Sequence, residues 1–268
     1  MKIEIKKMQP KIGFIGEDRG NILEDLNFAI KNRFDYYEIQ AAKNEKSLSF
    51  EAEIIEEIKK ISTKNNISLN LHASYFIFLC SLRLEVPKAA FEIAKEEMIL
   101  ANKIGAENIT IHSGDLDPTR GKRIKSFEIL MKNLQELTKL GRKLKTQIGL
   151  ENGYRPNYLC RKPEDLLKVV NSAKGLKIVF DVGHANVAGF NPIQYFKRVK
   201  DFVINIHVHD NDGMSDQHAL IGEGNIDFKS LLKECKNSGY YGPFILELFP
   251  HKNVLKGREI FLNIWNQI

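Results

Sequence analysis

Six short apolar runs in this chain each close on a metal-ligand side chain. In order they are Leu69-Asn70-Leu71-His72, Ile109-Thr110-Ile111-His112, Ile148-Gly149-Leu150-Glu151, Ile178-Val179-Phe180-Asp181, Ile204-Asn205-Ile206-His207 and Phe244-Ile245-Leu246-Glu247. Helix-like stretches separate them, so they read as successive parallel strands joined by crossover helices. In such a sheet the strand C-termini all lie at one end. One apolar run ending on His, Asp or Glu is commonplace, whereas six in succession put six ligand groups on one rim. If the sheet closes on itself the six converge, and a divalent metal ion is the expected occupant.

The rest of the chain repeats the same rhythm. Strands are expected at residues 11–15, 35–39, 67–71, 108–111, 146–150, 176–180, 202–208 and 243–246. Helices are expected at 50–65, 87–104, 122–143, 192–199 and 253–268, with one opening at Asn21, one at Pro163 and one running from Asp227 to about residue 237. Asn21 can cap its helix, with Glu24 placed to complete a capping box. Pro163 suits a first helical position and Gly105 a helix end. Eight strands alternate with eight helices, and no linker or low-complexity tract interrupts them. The 268 residues suit one (β/α)8 TIM barrel of the α/β class, a single domain spanning 1–268. The competing open, doubly wound sheet lacks support, because Gly13-Phe14-Ile15-Gly16 does not have the GxGxxG phosphate spacing.

Composition narrows the function class. The formal charge is +6, and the lysines are spread along helix-like stretches, as on a solvated surface; nucleic acid is the less favoured partner. Three widely spaced cysteines with no CxxC pair fit free thiols in a reducing compartment. No apolar run approaches the ~20 residues of a membrane span, and the charged first ten residues lack the apolar region of a signal peptide. A soluble cytoplasmic protein with no membrane partner is expected.

The ligand candidates follow from residue type and position. Glu151, Asp181 and Glu247 each close an apolar run, and buried carboxylates are costly unless paired or bound to a cation. With His207 they form a set suited to Mn, Co, Mg or Zn. His72, His112, His184 and His218 also fall at strand ends or in the loops beyond. His209 shares a strand face with Asn205 and His207, opposite Ile204, Ile206 and Val208, and is expected to support a ligand or touch substrate. His251 reads as a surface loop residue. In the loop after the seventh strand, Asp216 and His218 flank one residue and can both face inward. That loop is no calcium loop, since no Glu closes a 12-residue span.

Several segments carry a family resemblance: Asp181-Val-Gly-His184-Ala-Asn186, His207-Val-His-Asp-Asn-Asp-Gly213, Asp216-Gln-His218, Gly222-Glu-Gly224 and Gly242-Pro-Phe-Ile-Leu-Glu247. Together they resemble the sugar phosphate isomerase/epimerase family with its xylose-isomerase-like barrel, whose relatives include D-tagatose 3-epimerase. The resemblance implies one divalent metal ion held by Glu151, Asp181, His207 and Glu247, with Glu151 and Glu247 also acting as the acid/base pair through a metal-stabilised enediolate. It implies a sugar or sugar-phosphate substrate touching His184, with His72, His112 and His209 beside it. Arg155 in the loop after the fifth strand can hold a phosphate. A homodimer is expected by analogy. Two features of the ketose epimerases are missing: an Arg after the seventh-strand His, and a second Glu between residues 152 and 160.

A second relative on the same barrel is endonuclease IV, a zinc-dependent enzyme that cuts DNA at abasic sites. His72, His112, Glu151, Asp181, His184, His207, Asp216, His218 and Glu247 match its nine ligand positions, and His72-Ala-Ser-Tyr75 looks like its third-strand motif. Strand two, ending Glu38-Ile39-Gln40, looks more like a sugar isomerase. The isomerase or epimerase is the favoured reading, and the endonuclease is the alternative.

Overall fold

Side chains alternate along each strand, and this decides which residues face the helices and which face the barrel axis. The computed structural model describes residues 8–16, 21–43, 46–47, 51–116 and 122–268. Eight strands form one closed parallel sheet: β1 (Ile12–Ile15), β2 (Tyr36–Gln40), β3 (Ser68–His72), β4 (Asn108–Ile111), β5 (Gln147–Glu151), β6 (Lys177–Asp181), β7 (Val203–Val208) and β8 (Phe244–Leu246). Consecutive strands are neighbours, and β8 pairs back onto β1. The expected (β/α)8 barrel is therefore observed. A short antiparallel ladder, Ala42–Lys43 with Lys46–Ser47, follows β2.

The helices are α1 (Ile22–Lys31), α2 (Ala52–Asn65), α3 (Glu85–Ile104), α4 (Arg123–Leu144), α5 (Pro163–Ser172), α6 (Val182–Val187), α7 (Pro192–Val199), α8 (Phe228–Asn237) and α9 (His251–Gln267). Their ends follow local chemistry. The Asn21 side chain accepts from Leu23 N at 3.0 Å, and its own amide donates to Glu24 at 3.4 Å, a side-chain variant of the expected capping box. Asp227 caps α8 through Ser230 N at 3.0 Å. Gly105 ends α3 in the left-handed region, as a C-terminal glycine should. The expected first residue of the second helix, Phe50, and residues 1–7 of the charged N-terminus lie outside the described residues.

Two differences from the sequence expectation matter for the site. First, α6 is an additional helix that starts directly after β6, with Asp181 as its N-cap. Second, His251 opens α9 instead of lying in a surface loop; its ring stacks on Phe28 and its Nε2 lies 2.8 Å from buried Asp25.

The aliphatic strand faces pack under the helices. Leu71, Ile109, Ile111, Leu150, Ile178 and Phe180 have no exposed surface and join one continuous core. Burial of each such side chain contributes roughly 1.5–3 kcal/mol. The axis side is different. Ile15, Tyr36 and Ile245 form a small separate apolar cluster. Beside them Glu38, Asn70, Thr110 and Asn205 are fully buried, so the barrel interior turns polar beneath the strand C-termini. Cys80, Cys160 and Cys235 are buried free thiols, as expected. None of the described helices is long and apolar enough to cross a membrane.

Close packing on the axis side needs glycine in β5. A Cβ on Gly149 would sit 2.5 Å from the Val179 side chain on the next strand. Gly149→Ala is expected to destabilise the barrel by about 1–3 kcal/mol through overpacking. Urea unfolding monitored by circular dichroism would show this as a lower midpoint with an unchanged slope; an unchanged midpoint would mean the interior has room there.

Candidate active site

The site is built from the barrel axis outward, beginning with Glu38 on β2. Its carboxylate accepts from Asn205 Nδ2 at 2.8 Å, Thr110 Oγ1 at 3.1 Å and Asn70 Nδ2 at 3.3 Å. Asn70 is itself held by Asn108 at 2.9 Å. The remaining partner of Glu38 is His207 Nε2, 3.1 Å away. A proton on Nε2 shared with Glu38 leaves Nδ1 as the nitrogen facing the barrel mouth. Such a carboxylate behind a histidine orients the ring and makes it a better ligand.

Around His207 Nδ1 three carboxylates gather. Glu247 Oε1 is 2.9 Å away, Glu151 Oε1 3.3 Å and Asp181 Oδ2 4.0 Å. Strand register explains the meeting: Asp181 pairs with His207 across β6 and β7, and Ile245 pairs with His207 across β7 and β8, which sets Glu247 two residues further on the same side. The four residues expected to hold a metal ion thus share one centre.

The other candidates surround it. His112 Nε2 lies 2.5 Å and His72 Nε2 3.4 Å from Glu151 Oε2, while His184 Nδ1 lies 3.3 Å from Glu151 Oε1. Asp216 reaches in from the loop after β7 and meets His184 Nε2 and His218 Nε2, both at 3.4 Å. His209 has no exposed surface. It lies 3.3 Å from Asp181 and 3.5 Å from Asp216, and its ring stacks on His218 at 4.0 Å. Gly183 makes room for that ring, since a Cβ there would collide with His209.

These groups fit a cation. His112 Nε2 and Glu151 Oε2 are in contact, yet neither has a hydrogen-bond partner, and the same holds for Asp216 Oδ1. Buried polar atoms that crowd together without bonding one another are aimed at a common point, as ligand atoms are. Donor atoms of Glu151, Asp181 and His207 lie within 4.8 Å of one another, as do those of His72, His112 and Glu151, and those of His209, His218 and Glu247.

Electrostatics reinforces the arrangement. Burial alone would lower the pKa of His207, but the charges of Glu247, Glu38 and Glu151 reverse this and raise it well above the ordinary imidazole value. His184 is likewise raised against burial, chiefly by Asp181 and Asp216. Burial opposes protonation of His218 too, yet its hydrogen bond with Asp216 and the charge of Glu247 push it to about 9. The carboxylates respond in the opposite sense. Burial favours protonated Glu247, but His207 and His218 hold its pKa at about 2. Burial acts the same way on Glu151, and His112 and His207 nonetheless keep it well below the usual carboxylate range.

A cavity of about 370 Å³, counting its open mouth, rises from this floor. Its walls include Tyr75 from the loop after β3 and Tyr154, Arg155 and Tyr158 from the loop after β5. Tyr75 packs against His72 and His112, each at 5.3 Å, and Tyr154 stacks on His184 at 4.6 Å. All eleven site residues named from the sequence line this cavity or lie in the cluster beneath it. Sequence reasoning missed Glu38 and the two tyrosines of the β5 loop. The available signal for Glu38 was an acid at the centre of an otherwise aromatic and aliphatic strand, in step with Gln40.

The family described as xylose isomerase-like TIM barrel matches residues 26–264. Protein MJ1311 of Methanocaldococcus jannaschii is 31% identical over 228 residues, covering 80% of this chain and 76% of that protein. The probable endonuclease 4 of Acholeplasma laidlawii is 24% identical over 249 residues, 85% of this chain and 83% of its own. The fructoselysine 3-epimerase of Escherichia coli O157:H7 is 28% identical over 169 residues, 62% of this chain and 58% of its own. Among solved structures, a D-tagatose 3-epimerase-like protein superposes with a TM-score of 0.85 at 26% identity, covering 96% of this chain and 98% of that one.

Two outcomes are expected for cation binding. Glu38→Ala should weaken affinity for Mn, Co or Zn roughly 10–100-fold, because His207 loses its orienting partner; Glu38→Gln, which can still accept from Nε2, should lose less. Competition with a chromogenic chelator measures both, and equal affinity in all three proteins would remove Glu38 from the site. Because the acids around His184, His207 and His218 raise their pKa values, a cation must displace protons. Affinity should therefore climb as pH rises through the neutral range and go on climbing through about 9, where His218 gives up its proton. Calorimetry in buffers of different ionisation enthalpy should register that proton release, and a pH-independent affinity would contradict it.

Proposed function

Because this chain belongs to the xylose isomerase-like TIM barrel family, we propose that it is a metal-dependent isomerase or epimerase of a sugar or sugar phosphate. The observation that carries this reading is the convergence of Glu151 and Glu247 on one imidazole nitrogen, at 3.3 and 2.9 Å, from strands on different sides of the cavity. Two carboxylates so placed flank anything bound between them. Their depressed pKa values keep both as bases at neutral pH.

The chemistry follows from that placement. One glutamate takes a proton from the carbon beside a carbonyl. The other, once protonated, gives a proton to the opposite face of that carbon for epimerisation, or to the neighbouring carbon for isomerisation. A divalent ion held by Glu151, Asp181, His207 and Glu247 would supply Lewis acidity toward the carbonyl and its neighbouring hydroxyl. His184, braced by Asp216 and stacked on Tyr154, faces the cavity as a contact for a substrate oxygen. Tyr75 and Tyr154 cover the imidazoles and limit water at the reacting carbon. The likeness to a fructoselysine 3-epimerase and to a D-tagatose 3-epimerase-like structure supports the same class.

One specific observation favours a second reading. The ligand groups exceed what a single ion needs, since His72, His112 and Glu151 form one set and His209, His218 and Glu247 another. A probable endonuclease 4 also aligns over most of the chain. Several ions clamping a phosphodiester would make this an abasic-site nuclease. Against it, a nuclease needs a basic groove, whereas among the described residues Arg155 is the only Lys or Arg that lines this cavity.

Metal content and solvent exchange decide between them. Elemental analysis should give one ion per chain. Incubation with ketoses and ketose phosphates in deuterated water should place deuterium beside the carbonyl, as read by NMR. Glu151→Gln should lower that exchange by about 10²–10⁴-fold with the fold intact. Three zinc ions per chain, cleavage of abasic-site DNA and no carbon-bound exchange would reverse the assignment.

A further inference from the structure

The cavity floor is a set of acids and imidazoles, and Arg155 stands out on its wall. Its guanidinium lies 5.4 Å from the Tyr154 ring and 5.8 Å from the Tyr158 ring, and Nε donates to the Tyr154 hydroxyl at 3.2 Å. Among the described residues no carboxylate lies within ion-pair distance of it, and its two Nη groups have no partner. Other arginines are engaged: Arg123 pairs with Asp165, Arg198 with Glu164, and Arg161 donates to the carbonyls of Tyr154 and Ala188. Arg155 is therefore held in place by aromatic faces while its donor fork is left over.

That combination is suited to an anion. A guanidinium presents two parallel N–H donors that match two oxygens of a phosphate, and stacking on aromatic rings orders the side chain before the ligand arrives. The position is equally informative. His184 stacks on Tyr154 at 4.6 Å, and Arg155 lies beyond the same ring at 5.4 Å. The guanidinium and the acid/base pair Glu151 and Glu247 thus line one and the same cavity, with Tyr154 touching both Arg155 and His184.

Resting on the isomerase reading above, we propose that Arg155, seated on Tyr154 and Tyr158, is the phosphate subsite of this cavity, so that the substrate is a sugar carrying a terminal phosphate monoester. Arg155 would draw that group to the cavity wall, away from the carboxylates of the floor. One residue then sets both the substrate class and the direction in which the chain lies.

The test is a binding panel on the metal-loaded protein: pentose and hexose monophosphates, aldoses and ketoses, each beside its unphosphorylated parent and its sugar acid, titrated by calorimetry. At least one monophosphate should bind roughly ten- to a hundredfold more tightly than its parent, the gain that hydrogen bonds to a charged group provide. Arg155→Met should erase that advantage, and Arg155→Lys, which keeps the charge but loses the fork and the stacking, should recover only part of it. A phosphate advantage that survives Arg155→Met overturns the subsite, as does a panel in which no monophosphate gains from Arg155 or only the sugar acids do. Binding of abasic-site DNA that depends on Arg155, with no sugar phosphate bound, assigns the residue to a nucleic-acid backbone and overturns it also. Arg155-dependent binding without carbon-bound deuterium exchange would leave the subsite standing while the isomerase reading fails. Exchange on free sugars with no Arg155 effect would do the reverse.

Discussion

Carboxylates and imidazoles compensating one another out of water are the condition on which the mouth of this barrel depends. Glu38, Asp181, His207 and His209 have no exposed surface, and Glu151 and Glu247 have little. A buried ion left alone loses several kcal/mol of hydration. Here each acid meets an imidazole, and each imidazole meets at least one acid, so the raised histidine pKa values and the depressed carboxylate values are two sides of one balance. The balance begins at Glu38. Asn205, Thr110 and Asn70 direct their donors at it, so it stays in place, and His207 is fixed in turn. Aliphatic side chains in those interior positions would pack at least as well; the polar interior is stability given up to orient one ring.

The loops extend this order beyond the strands. Asp181 serves twice, since its Oδ1 accepts from His184 N at 2.5 Å and so caps α6 while Oδ2 faces His207. The cap places His184 Nδ1 3.3 Å from Glu151 Oε1, and the helix N-terminus favours the negative charge of its cap. After β7, Asp210 accepts from Asn211 N, Gly222 N and Ile226 N, closing the loop into a fixed bend. Asn211 ties that bend to α6 through Asn186 and Gly183. Asp216 and His218 are presented from this scaffold, which explains how residues on an irregular segment share a centre with strand residues.

Much of this was legible in the sequence because period-2 alternation is a strict geometric rule. Once Ile178 and Phe180 face the helices, Asp181 must face the axis, and the same holds for His207 and Glu151. The register between strands then follows from barrel closure. Glu38 was not assigned to the site because it sits mid-strand and not at a strand end, in a segment whose tyrosines read as ordinary β-formers. The helix α6 was hidden because Asp181 reads equally well as the last residue of a strand and as a cap. His251 looked like a loop residue because the pairing that holds it, with Asp25, spans almost the whole chain and leaves no local pattern. Tyr154 stacks on a histidine thirty positions away, which is equally invisible to periodicity.

One carboxylate links the number of ions to the chemistry. Glu151 turns Oε1 toward His207 and His184, and Oε2 toward His72 and His112. With a single ion on the His207 side, Oε2 retains a lone pair, and His72 and His112 beside it can steady a substrate hydroxyl and tune the basicity of that oxygen. With a second ion between His72, His112 and Glu151, both oxygens would be ligands, and Glu151 would have no free base to offer to a carbon-bound proton. The same residues then suit phosphate chemistry, where the protein's task is to position charge and not to move a proton from carbon. Isomerase and nuclease are therefore alternative uses of one cluster, separated by whether the second oxygen of Glu151 is left open, and the affinity of the His72–His112 pair for a cation is the quantity that chooses between them.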